Sequence, residues 1–308
     1  MDEAAPPRRR RDRRYWLNLL RFSVAAVIVA TLLTSYVFLP MLAAHMDSHP
    51  GGRRPVCCVT PADSGLDYED VTFTTAGGLT VAGWYLPARN GAAVTAAHGL
   101  GNNRLELLPQ AAALAEAGFG VLLFDQIAHG ESEGDTTALA GDDVLAAVDY
   151  LLRREEVEPD RIGALGFSWG GAATLQAAAR SEAIRAVVVE GPAAVTLDDM
   201  PYPANLMGWL RAPAGIAYFA TRRAMAVDAP MSTTEAAAAL APRPLLFIAG
   251  AGLEHEQLAV RQYFAAAGEP KALWEVPEAG HGQVWRARPE AYAARLTDFF
   301  SAALLGAE

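Results

Sequence analysis

Ser168 lies at the centre of a Gly-x-Ser-x-Gly pattern, between Gly166 and Gly170. A short apolar run precedes the pattern and an alanine-rich stretch follows it, which favours a strand, a sharp turn and a helix. Such a turn holds the serine hydroxyl out at the top of a sheet, and the two glycines let strand and helix approach closely. The pattern therefore predicts a nucleophilic serine; the alternative is a glycine-rich turn with an incidental serine.

A serine hydroxyl needs a base within hydrogen-bond distance, and the chain has six histidines to consider. Two lie beside the N-terminal apolar segment, one ends a predicted strand, and two lie in loops with acidic neighbours: His45, His49, His98, His129 and His255. The sixth, His281, lies in a Gly-His-Gly loop between the last predicted strand and the last predicted helix. We therefore predict that His281 is the base.

The chemistry-bearing residues lie in a series of short apolar runs that alternate with helical stretches, from residue 92 to residue 305. Two alternating segments, 69–75 and 79–86, come before them, with a turn at 76–78. Apolar runs without alternation are typical of parallel strands covered on both faces. The sequence thus predicts an α/β fold with a mostly parallel sheet between two layers of helices.

Residues 192–242 interrupt this series with prolines and many large apolar side chains. An insertion of this kind next to the site predicts a cap or lid with an apolar lining. Two alternatives remain open: ordinary amphipathic helices packed on the sheet, and a second surface that contacts a membrane.

The N-terminal region is divided by charge. Residues 1–21 carry seven arginines against three acidic residues, and residues 22–44 carry no charge over 23 positions. That segment would form a helix of about 34 Å, enough for a hydrocarbon core of about 30 Å. The arginines predict a cytoplasmic N-terminus, with Tyr15 and Trp16 at the membrane surface. We expect a basic tail (1–21), an uncleaved transmembrane anchor (22–44), a linker (45–67) and an extracytoplasmic domain (68–308) on the plasma membrane.

A cleaved signal peptide is the alternative for this segment. It is disfavoured because its apolar region would be about 7–15 residues long and would end at a small-x-small cleavage site. Here the run is longer, and Leu42 stands where a small residue is needed.

Together these residues resemble the α/β-hydrolase family over about residues 67–305. The features that carry the resemblance are His98-Gly99 after a strand, the Asp-x-x-x-His-Gly-x-Ser loop at 125–132, the serine turn and the Gly-His loop at 280–281. The closer similarity is to serine hydrolases with an esterase-like or dipeptidyl-peptidase-like core. The resemblance implies an oxyanion hole made by the backbone N–H groups of Leu100 and Trp169. It also implies that His98 and His129 hold their loops through hydrogen bonds.

The third triad member departs from the family pattern. The loop after the strand at 245–249 has no aspartate, so the available carboxylates are Glu254 and Glu256. A glutamate can orient the histidine. We favour Glu256, at the first turn of the following helix, and keep Glu254 as the alternative; either could instead be an acid that stabilises a helix N-terminus.

Other chemistry is not supported by the sequence. Without the basic tail the net charge is −14, which argues against binding nucleic acid. Asp125 and Glu131 flank His129 but lack the second histidine or cysteine that a metal site would need, and we expect no metal or other cofactor. The adjacent Cys57 and Cys58 receive no chemical role.

We therefore predict a membrane-anchored serine hydrolase that cleaves a small-molecule ester or other acyl substrate, one with apolar or lipid-derived groups. Two alternatives remain. A peptidase would use the same residues but needs a charge that binds a peptide terminus, and none is identified. An anchored binding module without activity would have the same fold with an inactive site.

Overall fold

The computed structural model describes residues 13–50, 54–137, 141–201, 206–225, 227 and 229–306. Within these residues the chain forms one eight-stranded sheet with spatial order β1-β2-β4-β3-β5-β6-β7-β8. The strands are β1 (Glu69–Thr74), β2 (Thr80–Leu86), β3 (Ala93–Ala97), β4 (Gly120–Phe124), β5 (Ile162–Phe167), β6 (Ile184–Glu190), β7 (Leu245–Gly250) and β8 (Lys271–Val276). β1 pairs antiparallel with β2, β2 pairs antiparallel with β4, and the remaining pairs are parallel.

The helices connect the strands and precede the sheet. They are α1 (Arg13–Leu33), α2 (Leu39–Ser48), α3 (Leu108–Glu116), α4 (Asp142–Leu151), α5 (Ser168–Arg180), α6 (Leu206–Ala224), α7 (Thr233–Ala238), α8 (Glu254–Ala266), α9 (Val284–Ala287) and α10 (Pro289–Phe300). The predicted α/β architecture with a mostly parallel sheet is confirmed.

Both faces of the sheet are buried, which explains the uninterrupted apolar strands. Val187 of β6 and Phe247 of β7 pack into one core, while Val188 and Leu246 pack into the core on the other face. Successive side chains of a strand point to opposite faces, so a strand covered on both sides needs apolar residues at every position.

The N-terminal segment is one long helix over Arg13–Ser48, 36 residues with a mean hydropathy of 2.2 in its most apolar window. α1 and α2 are joined by a π-helical turn over Thr34–Phe38, where the Leu39 N–H donates to the Thr34 carbonyl. Pro40 explains this turn, because proline has no N–H and its ring clashes with the preceding turn of a helix. The helix is long and apolar enough to span a membrane.

The helix also continues beyond Ala44, where the sequence predicted the start of a linker. The Thr137 N–H donates to the Ser48 carbonyl over 2.8 Å, and Ser48 is fully buried. The last helical turn is thus packed against the domain, and the irregular segment begins only after it. The free thiols of Cys57 and Cys58 lie exposed in that segment.

The insertion between β6 and β7 separates into two parts. α7 packs on α5 and α8 as an ordinary layer helix. α6 instead packs along α2 and along Thr34–Phe38. The predicted cap is therefore reduced to α6 and the loop before it; residues 202–205 of that loop lie outside the described residues.

Candidate active site

Ser168 occupies a sharp turn between β5 and α5. Its backbone is left-handed, with φ = 53°, a conformation that costs free energy in residues other than glycine. Gly170 permits the turn, since a Cβ there would lie 2.2 Å from the Ala97 carbonyl oxygen at the end of β3. This close approach brings the loop after β3 against the start of α5.

The structure brings three of the predicted residues into a hydrogen-bonded chain. His281 Nε2 lies 2.9 Å from Ser168 Oγ, and His281 Nδ1 lies 2.9 Å from Glu256 Oε2. The arrangement assigns the Nδ1 proton to the bond with Glu256 and leaves Nε2 free to accept the serine proton. Glu256 is 7% exposed and its Oε1 accepts the Gly250 N–H, whereas Glu254 is exposed on the same turn of α8.

The hydrogen bond that His281 Nδ1 donates to Glu256 raises the pKa of His281 above its ordinary value of 6.5, against the opposing effect of partial burial. The imidazole must be neutral to accept the serine proton. We therefore expect activity to decrease as the pH falls through the raised pKa, with the midpoint of the acidic limb of kcat/KM above pH 6.5. A pH profile with a chromogenic ester checks this expectation, and a midpoint below 6.5 contradicts it.

The residues implied as the oxyanion hole lie on the two segments that Gly170 brings together. The Trp169 N–H is in the first turn of α5, where backbone N–H groups have no partner within the helix. Leu100 packs against the buried cluster that contains the Trp169 side chain. An oxyanion hole needs two such N–H groups directed at the position where the negative charge develops.

His98 and His129 hold the loop that carries Leu100. His98 Nε2 accepts the Gln126 N–H over 3.0 Å, and its Nδ1 lies 2.7 Å from the Gly99 carbonyl oxygen. His129 Nε2 accepts the Gly101 N–H over 3.0 Å. Both imidazoles thus use their ring nitrogens to fix the loop backbone, as the resemblance implied.

Asp125 and Glu131 face an arginine. Asp125 Oδ2 lies 2.9 Å from Arg104 Nη2 and both side chains are buried, while Glu131 contacts the same guanidinium from the exposed side. Removing Arg104 would leave the buried Asp125 carboxylate without a compensating charge. This ion pair connects the loop that contains His129 to Arg104, which lies just before α3.

Sequence reasoning missed two residues near Ser168, His281 and Glu256. Glu190, at the end of β6, is 3% exposed, and the Tyr292 hydroxyl donates to its Oε2 over 2.9 Å. Burial raises the pKa of Glu190 to about 7, and the negative charge of Glu256 adds to this effect. The second is Arg222 of α6, whose guanidinium carbon lies 4.5 Å from the centre of the Trp169 ring. Neither stands in a motif, so only the three-dimensional contacts reveal them.

A cavity of about 370 Å³ opens above Ser168 and His281. Its walls are mainly apolar, with Met200, Leu253 and Ala259 among them, and Arg211 of α6 lies at its rim. The volume falls in the range of small-molecule sites, and the apolar walls suit an aliphatic group.

Comparisons with known proteins agree with the α/β fold described above. The alpha/beta hydrolase fold family matches residues 93–252. The chain is 30% identical over 254 residues to uncharacterized protein YfhR of Escherichia coli strain K12, covering 77% of this chain and 81% of YfhR. It is 34% identical over 128 residues to thiohydrolase aneE of Aspergillus aculeatus, covering 39% of this chain and 40% of that protein.

Among solved structures, the Pyrococcus furiosus esterase Pf2001 superposes with a TM-score of 0.65 at 23% identity, covering 82% of this chain and 98% of the esterase. At this identity the likeness shows the fold alone. The fold and these neighbours together support the assignment of this chain as a hydrolase. The family match spans more than half of the chain, and the sheet order and serine turn agree with it, so this chain belongs to the alpha/beta hydrolase fold family.

Proposed function

We propose that this protein is a membrane-anchored serine hydrolase that cleaves an ester or a related acyl bond through a Ser168–His281–Glu256 triad. The observation that carries the proposal is the pair of 2.9 Å hydrogen bonds joining these side chains at the base of an apolar cavity. A serine is a weak nucleophile alone, and this arrangement supplies its base and the group that orients the base.

The reaction proceeds in two halves. Ser168 Oγ attacks the carbonyl carbon while His281 Nε2 takes its proton, and Glu256 stabilises the resulting imidazolium. The Leu100 and Trp169 N–H groups bind the tetrahedral oxyanion, each contributing about 3 kcal/mol to lowering the barrier. His281 then protonates the leaving alcohol. Water attacks the acyl-enzyme with His281 as base, which releases the acid and restores Ser168.

The membrane location is the second part of the proposal. It is supported by the 36-residue apolar helix and by the arginines that precede it. We place residues 1–21 in the cytoplasm, 22–44 in the membrane and the catalytic domain outside. An alkaline phosphatase fusion at the C-terminus, which is active only outside the cytoplasm, should be active. An inactive but stable fusion would contradict this topology.

The enzymatic proposal is tested by comparing the rates at which the protein hydrolyses esters and amides. The full chain in detergent should react with a fluorophosphonate probe and hydrolyse p-nitrophenyl esters of graded acyl length, with aminoacyl p-nitroanilides cleaved far more slowly. Faster cleavage of the anilides would make the peptidase alternative correct. If the protein is not labelled and hydrolyses none of these substrates, the binding-module alternative is correct.

A further inference from the structure

α6 lies along the anchor helix rather than over the centre of the sheet. Five residues of the helix Arg13–Ser48 are shielded from solvent, and each lies three or four positions from another, which places them on one face of the helix: Tyr36, Pro40, Ala44, Asp47 and Ser48. α6 packs against this part of the helix, both at Thr34–Phe38 and along α2. The cap and the outer half of the anchor therefore form one helical pair.

Polar contacts fix this pair at its domain end. The Tyr218 hydroxyl donates to Asp47 Oδ2 over 2.7 Å, and Arg222 Nη1 donates to Ser48 Oγ over 3.2 Å. Arg222 is 1% exposed and its guanidinium also lies on Trp169, next to the nucleophile. Arg222 thus connects the end of the anchor helix, through α6, to the residue that follows Ser168.

The depth of α6 follows from the length of the anchor. A hydrocarbon core of about 30 Å takes about 20 helical residues, so a span that begins at Phe22 ends near residue 41. The contact of α6 with Thr34–Phe38 then lies below the membrane surface. The composition of α6 agrees with this depth, because residues 206–220 contain a single charged side chain, Arg211. Leu210 and Ile216 are 45% and 52% exposed on its surface.

We propose that α6 lies in the interfacial layer of the membrane, in the leaflet on the side of the catalytic domain, and that the cavity takes its substrate from that leaflet. The substrate class is an ester-bearing amphiphile with an anionic head group. This inference rests on the proposed function, since it assumes both the anchor and the acyl chemistry.

Arg211 supplies the head-group contact. It is exposed at the cavity rim and makes no hydrogen bond or ion pair with any residue that the structure describes. At the membrane surface its long side chain can keep the guanidinium at the level of the lipid head groups while the rest of α6 stays among apolar atoms. A phosphate bound there would leave the acyl chain to the apolar walls of the cavity and the ester to Ser168.

The depth of α6 can be measured without any activity. A fluorophore is attached to Ile216→Cys in a Cys57→Ser, Cys58→Ser background, and the full chain is reconstituted in phosphatidylcholine vesicles containing spin-labelled lipid. Leu152→Cys is the matched control, an exposed leucine directly after α4, a helix that packs on α5 and on β1, β3 and β4. We expect strong quenching at residue 216 and little at residue 152. Equal, weak quenching at both positions overturns the proposal.

The head group is tested with lysophosphatidylglycerol and lysophosphatidylcholine of the same acyl chain, each at a few mole per cent in phosphatidylcholine vesicles. We expect the anionic lipid to be cleaved about tenfold faster, the ratio that one charge-assisted hydrogen bond supplies. Arg211→Gln should bring this ratio close to one. Arg223→Gln, which removes the same charge near the other end of α6, should preserve it.

Two further outcomes separate this inference from the proposed function. If p-nitrophenyl butyrate is hydrolysed while neither lysolipid is cleaved, the substrate class is wrong and the hydrolase proposal stands. If none of the three is hydrolysed, the hydrolase proposal itself fails. An unchanged preference in Arg211→Gln would remove Arg211 from head-group recognition.

Discussion

Replacing Ser168 with alanine is expected to lower kcat/KM for p-nitrophenyl butyrate by about 10⁴–10⁶-fold. The substitution removes the only atom that can form the acyl-enzyme, while the N–H groups of Leu100 and Trp169 remain in place. Because alanine also lacks the nucleophile that fluorophosphonates modify, labelling should disappear together with turnover. Initial rates over a range of substrate concentrations, with labelling in parallel, measure both effects.

A matched control is available at the other end of the same helix. Ser181 follows the last residue of α5, and Ser181→Ala should keep activity within about twofold of the unmodified protein. Unfolding curves should show that both variants are folded. If folded Ser168→Ala kept a tenth or more of the activity, the nucleophile would be a different group and the proposed mechanism would be wrong.

The fold could be predicted from sequence because its strands are buried on both faces. Runs such as Leu245–Gly250 are apolar at every position, and each is separated from the next by a helical stretch. These local patterns suffice for a parallel sheet. The serine turn was predictable for a related reason. Its glycines are required by close contacts with residues a few positions from Ser168 and with the end of β3, and such glycines form a recognisable local pattern.

The surroundings of the site could not be predicted in the same way. Arg222 stands next to Arg223 in the sequence, which is typical of a solvated helix end, yet it is buried. Its burial depends on Ser48, which is 174 positions away along the chain, and on the ring of Trp169. Glu190 is similar: its sequence neighbours give no sign that Tyr292 will lie against it. Contacts over such separations depend on how whole helices dock.

The proposed triad acid lies between these two cases. Sequence places Glu254 and Glu256 in one helical turn, where both suit the helix N-terminus. Residues two positions apart in an α-helix are rotated by about 200° around its axis. Only one of the two carboxylates can therefore face the loop of His281. Which carboxylate faces the loop depends on how α8 packs on β7 and β8. A local sequence pattern carries no information about this packing.

Glu256→Gln is therefore expected to have the second largest effect, a loss of about 10³–10⁴-fold in kcat. Glutamine keeps the size of the side chain but has no charge to stabilise the imidazolium, and its amide can donate to Nδ1 and so favour the wrong tautomer of His281. The bond that raises the pKa of His281 is also lost. The acidic limb of the pH profile should consequently move to lower pH, and steady-state rates across the pH range measure both changes.

Glu254→Gln provides the matched control, because it makes the same chemical change two residues away on an exposed face of α8. It should leave kcat within about twofold and the acidic limb in place. The reverse result would assign the acid to Glu254 and would require α8 to turn about its axis in the active enzyme. Equal activity in both variants would mean that His281 is oriented by another group, and Glu190, the buried carboxyl whose charge also acts on His281, would be the first residue to substitute next.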